Sequence, residues 1–195
     1  MEWLPAIEGW LPSRRPLRVL LIGCGEGEEA AALADRLGGP EVVRMVGVDL
    51  DEMALARAQA RVPWARFRCA DAATLPPGWE GGFDLIVIRR PDLLAQPSRW
   101  RAVFARLPGL LAPDGRLICT TISAGEARWV RRELSEAGWS LLHEEVHPEA
   151  PEEAAWLVAA PPAESETPSE TLEVLPGEEP GLWCDWSTGC CGPIG

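Results

Sequence analysis

The sequence lacks lysine and tyrosine, and it has no excess of basic residues. All 18 basic residues are arginine, and 30 aspartate and glutamate residues leave a formal net charge of −12 on the 195-residue chain. Proteins that bind nucleic acid by releasing counterions from its phosphates are usually basic. The composition therefore argues against nucleic-acid binding as the main function, whereas arginines grouped at one site can still bind a small anion.

Long apolar runs are also missing. The longest are shorter than ten residues, whereas a membrane-spanning helix needs about 20 apolar residues. The first 16 residues have neither the basic start nor the apolar core of a signal peptide. We therefore expect no membrane segment and, by default, a cytoplasmic location.

Short apolar runs alternate with amphipathic stretches from Pro16 to about Pro161, as in βαβ units that build a parallel sheet. Gly38 is expected to end the first helix and Asp51 to cap the second. The last two runs are joined only by a polar, proline-containing segment, which predicts an antiparallel pair at one edge of the sheet. The predicted strands are 17–23, 42–50, 65–71, 83–90, 115–123, 138–146 and 154–161, and the predicted helices are 26–39, 51–62, 98–111 and 125–138.

The composition changes after residue 162. Residues 163–195 carry seven acids and no base, so we expect a disordered acidic tail after a single α/β domain of residues 1–162. The tail ends in a segment with two tryptophans and with Cys184, Cys190 and Cys191. Four interpretations stay open for that segment: a docking peptide for a protein partner, a thiol site for metal or redox chemistry, a peptide that is itself modified, or no function.

Cys24, Cys69 and Cys119 stand singly in strand-like segments, without a cysteine or histidine close by in the sequence. We expect all three to be buried as small hydrophobic side chains. His143 and His147 do not have the spacing of two ligands on one helical turn, and no metal is assigned to them.

A glycine-rich turn follows the first predicted strand and opens a helix. Its glycines, Gly23, Gly25 and Gly27, would let a ligand approach the backbone and its free N–H groups, although a purely structural turn is also compatible with them. Asp49 ends the second predicted strand, 22 residues beyond Gly27. A carboxylate in this place can accept hydrogen bonds from the hydroxyls of a ribose; the alternative is an ordinary strand-end acid or helix cap.

Five segments in order and spacing resemble the successive motifs of class I S-adenosylmethionine-dependent methyltransferases. They are VLLIGCGEG, GVDLDEMALARA, CADAATLP, FDLIVIRRPDLL and LLAPDGRLICTT, and the resemblance covers roughly residues 17–161. It implies a Rossmann-like, doubly wound α/β fold with a seven-stranded sheet in the order 3-2-1-4-5-7-6 and an antiparallel last strand. It also implies S-adenosyl-L-methionine as the cofactor and methyl transfer to a small-molecule substrate as the reaction.

The resemblance assigns the cofactor-binding residues. Gly23, Gly25 and Gly27 would pass beneath the methionine part of the cofactor, and Asp49 would bind the ribose hydroxyls. Three residues would contact adenine: Leu50 by packing on one face, Asp71 by accepting from the amino group, and Ala72 by donating its N–H to a ring nitrogen. For Asp71 the alternative is a turn acid that caps the next segment.

Leu21 departs from the family pattern, which usually has Asp or Glu two residues before the first glycine. An aliphatic residue at this position is frequent in aminopropyltransferases of the spermidine-synthase type, whose acid-rich motif after the fourth strand is absent here. A non-catalytic nucleotide-sensing or scaffold domain that docks through the C-terminal tail is the other alternative.

The loop after the fourth predicted strand, Arg89-Arg90-Pro91-Asp92, is expected to face the transferable group. Arg89 would bind the carboxylate of the cofactor, and Arg90 and Asp92 would bind the substrate. Asp92 and His143 are the candidate catalytic bases. For Arg89 and Arg90 the competing interpretation is solvated strand-end arginines paired with local acids. The competing interpretations are a helix cap before Leu93 for Asp92 and an exposed hairpin residue for His143.

Overall fold

A computed structural model of the chain describes residues 4–13, 15–75, 78–147 and 154–162. The predicted acidic tail, with Cys184, Cys190 and Cys191, lies outside the described residues, so its disorder and its four interpretations stay predictions. Within the described ranges the strands are β1 (Leu17–Ile22), β2 (Val43–Asp49), β3 (Arg66–Cys69), β4 (Phe83–Arg89), β5 (Leu111–Thr121), β6 (Ser140–Val146) and β7 (Ala155–Ala160). The helices are α1 (Glu28–Leu37), α2 (Glu52–Arg61), α3 (Pro97–Leu110) and α4 (Ala124–Glu136), and 3-10 helices cover Leu4–Trp10 and Ala72–Thr74.

The strands form one sheet in the order β3-β2-β1-β4-β5-β7-β6. The pairs β3–β2, β2–β1, β1–β4 and β4–β5 are parallel. β7 runs antiparallel both to β5 and to β6. The predicted Rossmann-like fold and strand order are therefore confirmed, with β6 at the free edge.

Helix ends follow from local chemistry. Gly38 adopts a left-handed conformation with φ of 99° and ends α1. The Asp51 carboxylate accepts hydrogen bonds from the N–H groups of Met53 and Ala54 and caps α2. Both boundaries were predicted from the sequence.

Each face of the sheet is covered by helices. The first apolar cluster joins β-strand residues such as Ile86 to Phe104 of α3 and Trp129 of α4. The second joins Val19 and neighbouring strand residues to Leu33 of α1, to α2 and to the N-terminal 3-10 helix. Because both faces are buried, the open edge formed by the carboxyl ends of the parallel strands is where a ligand can reach the backbone. No described helix is long and apolar enough to cross a membrane.

β5 begins earlier than predicted. Leu111 pairs with Phe83 of β4, and the register shifts before Arg116 pairs with Leu85. Residues 112–114, which lie between the predicted helix and the predicted strand, are therefore an irregular part of the strand itself. Such an irregularity depends on pairing with β4, which local sequence does not reveal.

Two of the three single cysteines are buried, as predicted. Cys24 and Cys119 lie in the core, whereas Cys69 is exposed. The prediction for Cys69 was wrong because β3 is the other edge strand of the sheet, and its last two residues lie at the surface.

Candidate active site

A cavity of about 170 Å³ lies at the carboxyl ends of the parallel strands. The ends of β1 and β2 form one wall, the segment after β3 forms a second, and the loop after β4 with the first turns of α3 forms a third. The strand-side lining residues are Ile22, Gly23, Val48, Asp49, Leu50 and 70–72. Those beyond β4 are Asp92, Gln96, Arg99, Trp100 and Val103.

The glycine turn has left-handed backbone geometry at Gly23, Gly25 and Gly27, with φ of 69°, 49° and 76°. A Cβ added to Gly23 or Gly25 would meet no atom within 4 Å. A Cβ on Gly27 would lie 2.9 Å from Ala58 of α2. Gly27 is thus required by the contact between α1 and α2, whereas the first two glycines leave open space above the turn, as a bound ligand requires.

Asp49 is fixed against that turn. Its Oδ2 accepts a hydrogen bond of 2.8 Å from the Gly25 N–H. Its Oδ1 accepts from the N–H groups of Leu50 and Asp51, at 2.7 and 3.1 Å. Because each carboxylate oxygen can accept more than one hydrogen bond, Asp49 still has acceptor capacity toward the cavity.

Asp71 and Ala72 lie on the opposite wall. Asp71 Oδ1 accepts from the Ala73 N–H at 2.9 Å, so the side chain caps the 3-10 helix. Its Oδ2 forms an ion pair of 3.0 Å with Arg99. The Ala73 N–H, and after it Arg99, lower the pKa of Asp71 below its usual value. The capping role that the sequence left open is present, and the same carboxylate lines the cavity.

Leu50 and Leu21 have different environments. Leu50 is 53% exposed at the rim of the cavity. Leu21 is 2% exposed and packs in the core on the α1 side of the sheet, while its neighbour Ile22 lines the cavity. The position at which the family usually has an acid is therefore part of the apolar core here.

Arg89 lies at the end of β4 and forms an ion pair with Glu29 of α1. Both side chains are nearly buried, and neither is among the residues that line the cavity. The predicted contact of Arg89 with the cofactor carboxylate stays a prediction. The ion pair agrees with the alternative of a strand-end arginine paired with an acid. The sequence did not indicate Glu29 as the partner, because the two residues are brought together only by the packing of α1 on the sheet.

Arg90 and Asp92 follow β4. Arg90 is a non-glycine residue with a positive φ of 48°, and its N–H donates to the Thr120 carbonyl at 3.1 Å. Strained backbone of this kind persists where the surroundings hold it, often at functional sites. Asp92 lines the cavity, but α3 begins only at Pro97, so the expectation that Asp92 caps a helix before Leu93 was wrong.

His143 lies on β6, away from Asp92 and the cavity. Its ring packs between Trp156, at 4.4 Å, and Trp10, at 5.5 Å. The carboxylate of Glu145 is 3.7 Å from His143 and 3.0 Å from His147. The structure does not bring the two candidate bases together. His143 lies on a hairpin strand, as the competing interpretation has it, but its side chain is packed against the two tryptophans and is only 33% exposed.

Four cavity residues of the α3 region, Gln96, Arg99, Trp100 and Val103, were not singled out in the sequence. The sequence could have indicated them. The helix after β4 has to begin at the same edge of the sheet as the glycine turn, so the side chains of its first turns are expected near the ligand.

Comparison with known proteins identifies the family. Residues 19–115 match the model of a methyltransferase domain. The chain belongs to the class I S-adenosylmethionine-dependent methyltransferases.

Two curated methyltransferases illustrate the relationship. The trans-aconitate 2-methyltransferase of Methylobacterium radiotolerans is 34% identical over 113 residues, which cover 55% of this chain and 38% of that protein. The 27-O-demethylrifamycin SV methyltransferase of Amycolatopsis mediterranei is 34% identical over 117 residues, or 57% of this chain and 40% of the relative. The chain thus spans about two fifths of the length of these relatives.

A solved structure supports the same methyltransferase fold. An S-adenosylmethionine-dependent methyltransferase from Methanosarcina mazei superposes with a TM-score of 0.67 at 14% sequence identity. The match covers 82% of this chain and 98% of that structure. At this identity the likeness concerns the fold alone.

Proposed function

We propose that the chain binds S-adenosylmethionine and transfers its methyl group to a small-molecule acceptor. The observation that carries this proposal is the position of Asp49. Its carboxylate is tied to the N–H of Gly25 and lines the cavity beside a turn whose first two glycines face open space. A ribose held by Asp49 would place the rest of the cofactor over that turn.

The donors and acceptors around the cavity fit the adenosine part of the cofactor. Asp71 is an ionised acceptor for an amino group. Ala72 is the first residue of a 3-10 helix, so its N–H has no acceptor within the helix and is available to a ring nitrogen. Leu50 offers an exposed apolar side chain to the face of the base. Gly23 and Gly25 leave room for the methionine part.

Bound S-adenosylmethionine would supply a methyl group on a sulfonium, which is already an activated leaving group. The residues of the chain then have to align the acceptor and exclude water, and these effects account for most of the acceleration. Asp92 lines the same cavity and would orient an acceptor hydroxyl or take up its proton. Arg90, which follows β4 and precedes Asp92 by two residues, is not among the residues that line the cavity; we keep it as the candidate to bind an anionic group of the acceptor.

The proposal of a small acceptor draws on the relatives. The names of two of them specify trans-aconitate and a demethylrifamycin as the molecules methylated. Trans-aconitate is a carboxylic acid, and an arginine guanidinium is suited to bind carboxylates through two parallel hydrogen bonds. A carboxylic acid is therefore the first acceptor class to test.

Calorimetric titration of S-adenosylmethionine and S-adenosylhomocysteine into the protein tests cofactor binding. We expect micromolar binding of both. Asp49→Ala should weaken it by about 10- to 100-fold, since a hydrogen bond from the ribose to a charged group is lost together with the acceptor that holds the Gly25 N–H. Asp35→Ala removes an exposed acid of α1 and serves as the matched control. Absence of binding by the unaltered protein, or equal binding by Asp49→Ala, would contradict the proposal.

Turnover is measured separately, as release of S-adenosylhomocysteine in the presence of a panel of small carboxylic acids and other acceptors. Binding without turnover of any acceptor would favour the non-catalytic alternative. Decarboxylated S-adenosylmethionine is included as a third ligand, because a preference for it would favour the aminopropyltransferase alternative.

A further inference from the structure

The Asp71 carboxylate is held by two separate elements. The Ala73 N–H of the 3-10 helix donates to Oδ1 at 2.9 Å, and Arg99 of α3 contacts Oδ2 at 3.0 Å. Both Asp71 and Arg99 line the cavity, and their side chains are 36% and 34% exposed. The orientation of the carboxylate therefore depends on α3 as well as on its own loop.

Arg99 also contacts the residue at the start of α3. Its Nη1 donates to Gln96 Oε1 at 3.4 Å, and Gln96 lines the cavity as well. The guanidinium thus bridges a carboxylate on one wall and an amide on the other. Because the planar guanidinium holds its two Nη groups at a fixed spacing, it contacts both partners at once, which a single ammonium group does less well.

Each oxygen of Asp71 has one protein donor and can accept another hydrogen bond. An ionised carboxylate accepts from the exocyclic amino group of adenine but repels the carbonyl oxygen that a 6-oxopurine carries at the same position. The Ala73 N–H and Arg99 lower the pKa of Asp71 and keep it in this ionised form. The orientation of the remaining acceptor positions of Asp71 then determines how strongly the site prefers adenine over a 6-oxopurine.

We propose that Arg99 is a positioning residue that fixes the Asp71 carboxylate for the amino group of adenine and so sets the preference of the site for adenine over 6-oxopurines. This inference rests on the proposed function, since it concerns the base of the cofactor. Arg99 itself acts through Asp71 and does not take part in methyl transfer.

The test compares binding of S-adenosylhomocysteine with binding of S-inosylhomocysteine, in which a carbonyl replaces the amino group. The unaltered protein should prefer the adenosine compound by about 10- to 100-fold, the range for one hydrogen bond to a charged group. Asp71→Asn should reduce the preference, because the amide can donate to the carbonyl. Arg99→Met and Arg99→Gln should each reduce it severalfold, and Arg99→Lys should retain part of it.

Arg101→Met is the matched control. Arg101 lies on the same helix and forms an ion pair of 3.1 Å with Glu133 of α4. Its loss should leave the preference unchanged. The pH dependence is a second readout. As the pH is lowered, Asp71 becomes protonated and the preference for adenine is lost. In Arg99→Met this loss should begin at a higher pH than in the unaltered protein, because the arginine that lowers the pKa of Asp71 is gone.

The outcomes separate this inference from the proposed function. If the unaltered protein binds neither compound, the proposed function fails. If it binds both equally, or if Arg99→Met, Arg99→Gln and Arg99→Lys all keep the full preference, the role of Arg99 is overturned while cofactor binding stands. If Arg99→Met binds S-adenosylhomocysteine more tightly and keeps the full preference for it, Arg99 competes with the adenine base for Asp71, and the positioning role is likewise overturned. Using three substitutions guards against one that prevents folding.

Discussion

The carboxylates of Asp49 and Asp71 each accept hydrogen bonds from backbone N–H groups of their own loops. The same two side chains line the cavity. A local capping role and a ligand-binding role are therefore compatible in one residue, because a carboxylate has more acceptor positions than these backbone donors use. The backbone donors also hold each side chain in place before a ligand arrives, which reduces the entropy lost on binding.

Cysteine reactivity provides a prediction at the level of single residues. Burial, with Asp49 adding to it, raises the pKa of the Cys24 thiol to about 12, and burial also raises the pKa of Cys119. Both should remain protonated and unreactive at neutral pH, because the thiolate is the nucleophile. Cys69 is exposed and should be alkylated first among the three.

Brief treatment of the native protein with iodoacetamide, followed by peptide mass spectrometry, measures this order. Alkylation in denaturant is the control, since all three cysteines should then react. Modification of native Cys24 as fast as Cys69 would contradict the burial of the glycine turn.

At the level of secondary-structure elements, the glycine turn joins two requirements. Gly25 lies below open space, whereas Gly27 lies against Ala58 and lets α1 pack on α2. The glycine motif, which the sequence suggests is a single ligand-binding turn, thus contains one glycine, Gly27, that is required by helix packing.

Alanine substitutions separate the two requirements. Gly27→Ala should lower the free energy of unfolding by about 2 to 4 kcal/mol, because a positive φ is combined with a steric clash. Gly25→Ala should lower it by about 1 to 2 kcal/mol, from the positive φ alone. The effects on ligand affinity should differ in the opposite sense. Relative to its loss of stability, Gly25→Ala should lose more affinity for S-adenosylhomocysteine than Gly27→Ala, since the added methyl group projects into the open space above the turn. Urea unfolding and calorimetric titration measure the two effects, and an equal loss of stability in both variants would argue against the helix contact.

At the level of the whole molecule, all residues that line the cavity lie between Ile22 and Val103. The tail of residues 163–195 contributes seven negative charges and no positive charge. The domain boundary after residue 162 remains a prediction. It can be tested by measuring ligand binding to a protein without the tail.

A protein that ends at Pro162 should bind S-adenosylhomocysteine with the same Kd as the full chain. The physical reason is that no group assigned to ligand binding is removed. Parallel calorimetric titrations, with thermal unfolding as the check on folding, make the comparison. A clear loss of affinity in a folded, shortened protein would mean that the tail contributes to the site.

The amino-acid sequence by itself determined the order of strands and helices, the caps at Gly38 and Asp51, and the carboxylates Asp49 and Asp71 at strand ends. These features depend on hydrophobic periodicity and on backbone chemistry within a few residues. The resemblance to a known family added the strand order and the interpretation of the turn.

Only the tertiary structure decided which distant side chains meet. It paired Arg99 with Asp71 and Glu29 with Arg89, and it placed His143 away from the cavity. Such contacts depend on the rotation of each helix about its axis and on the register of neighbouring strands, which the burial of both sheet faces sets together. No local pattern carries that information, because the partners lie 28 and 60 residues apart in the sequence.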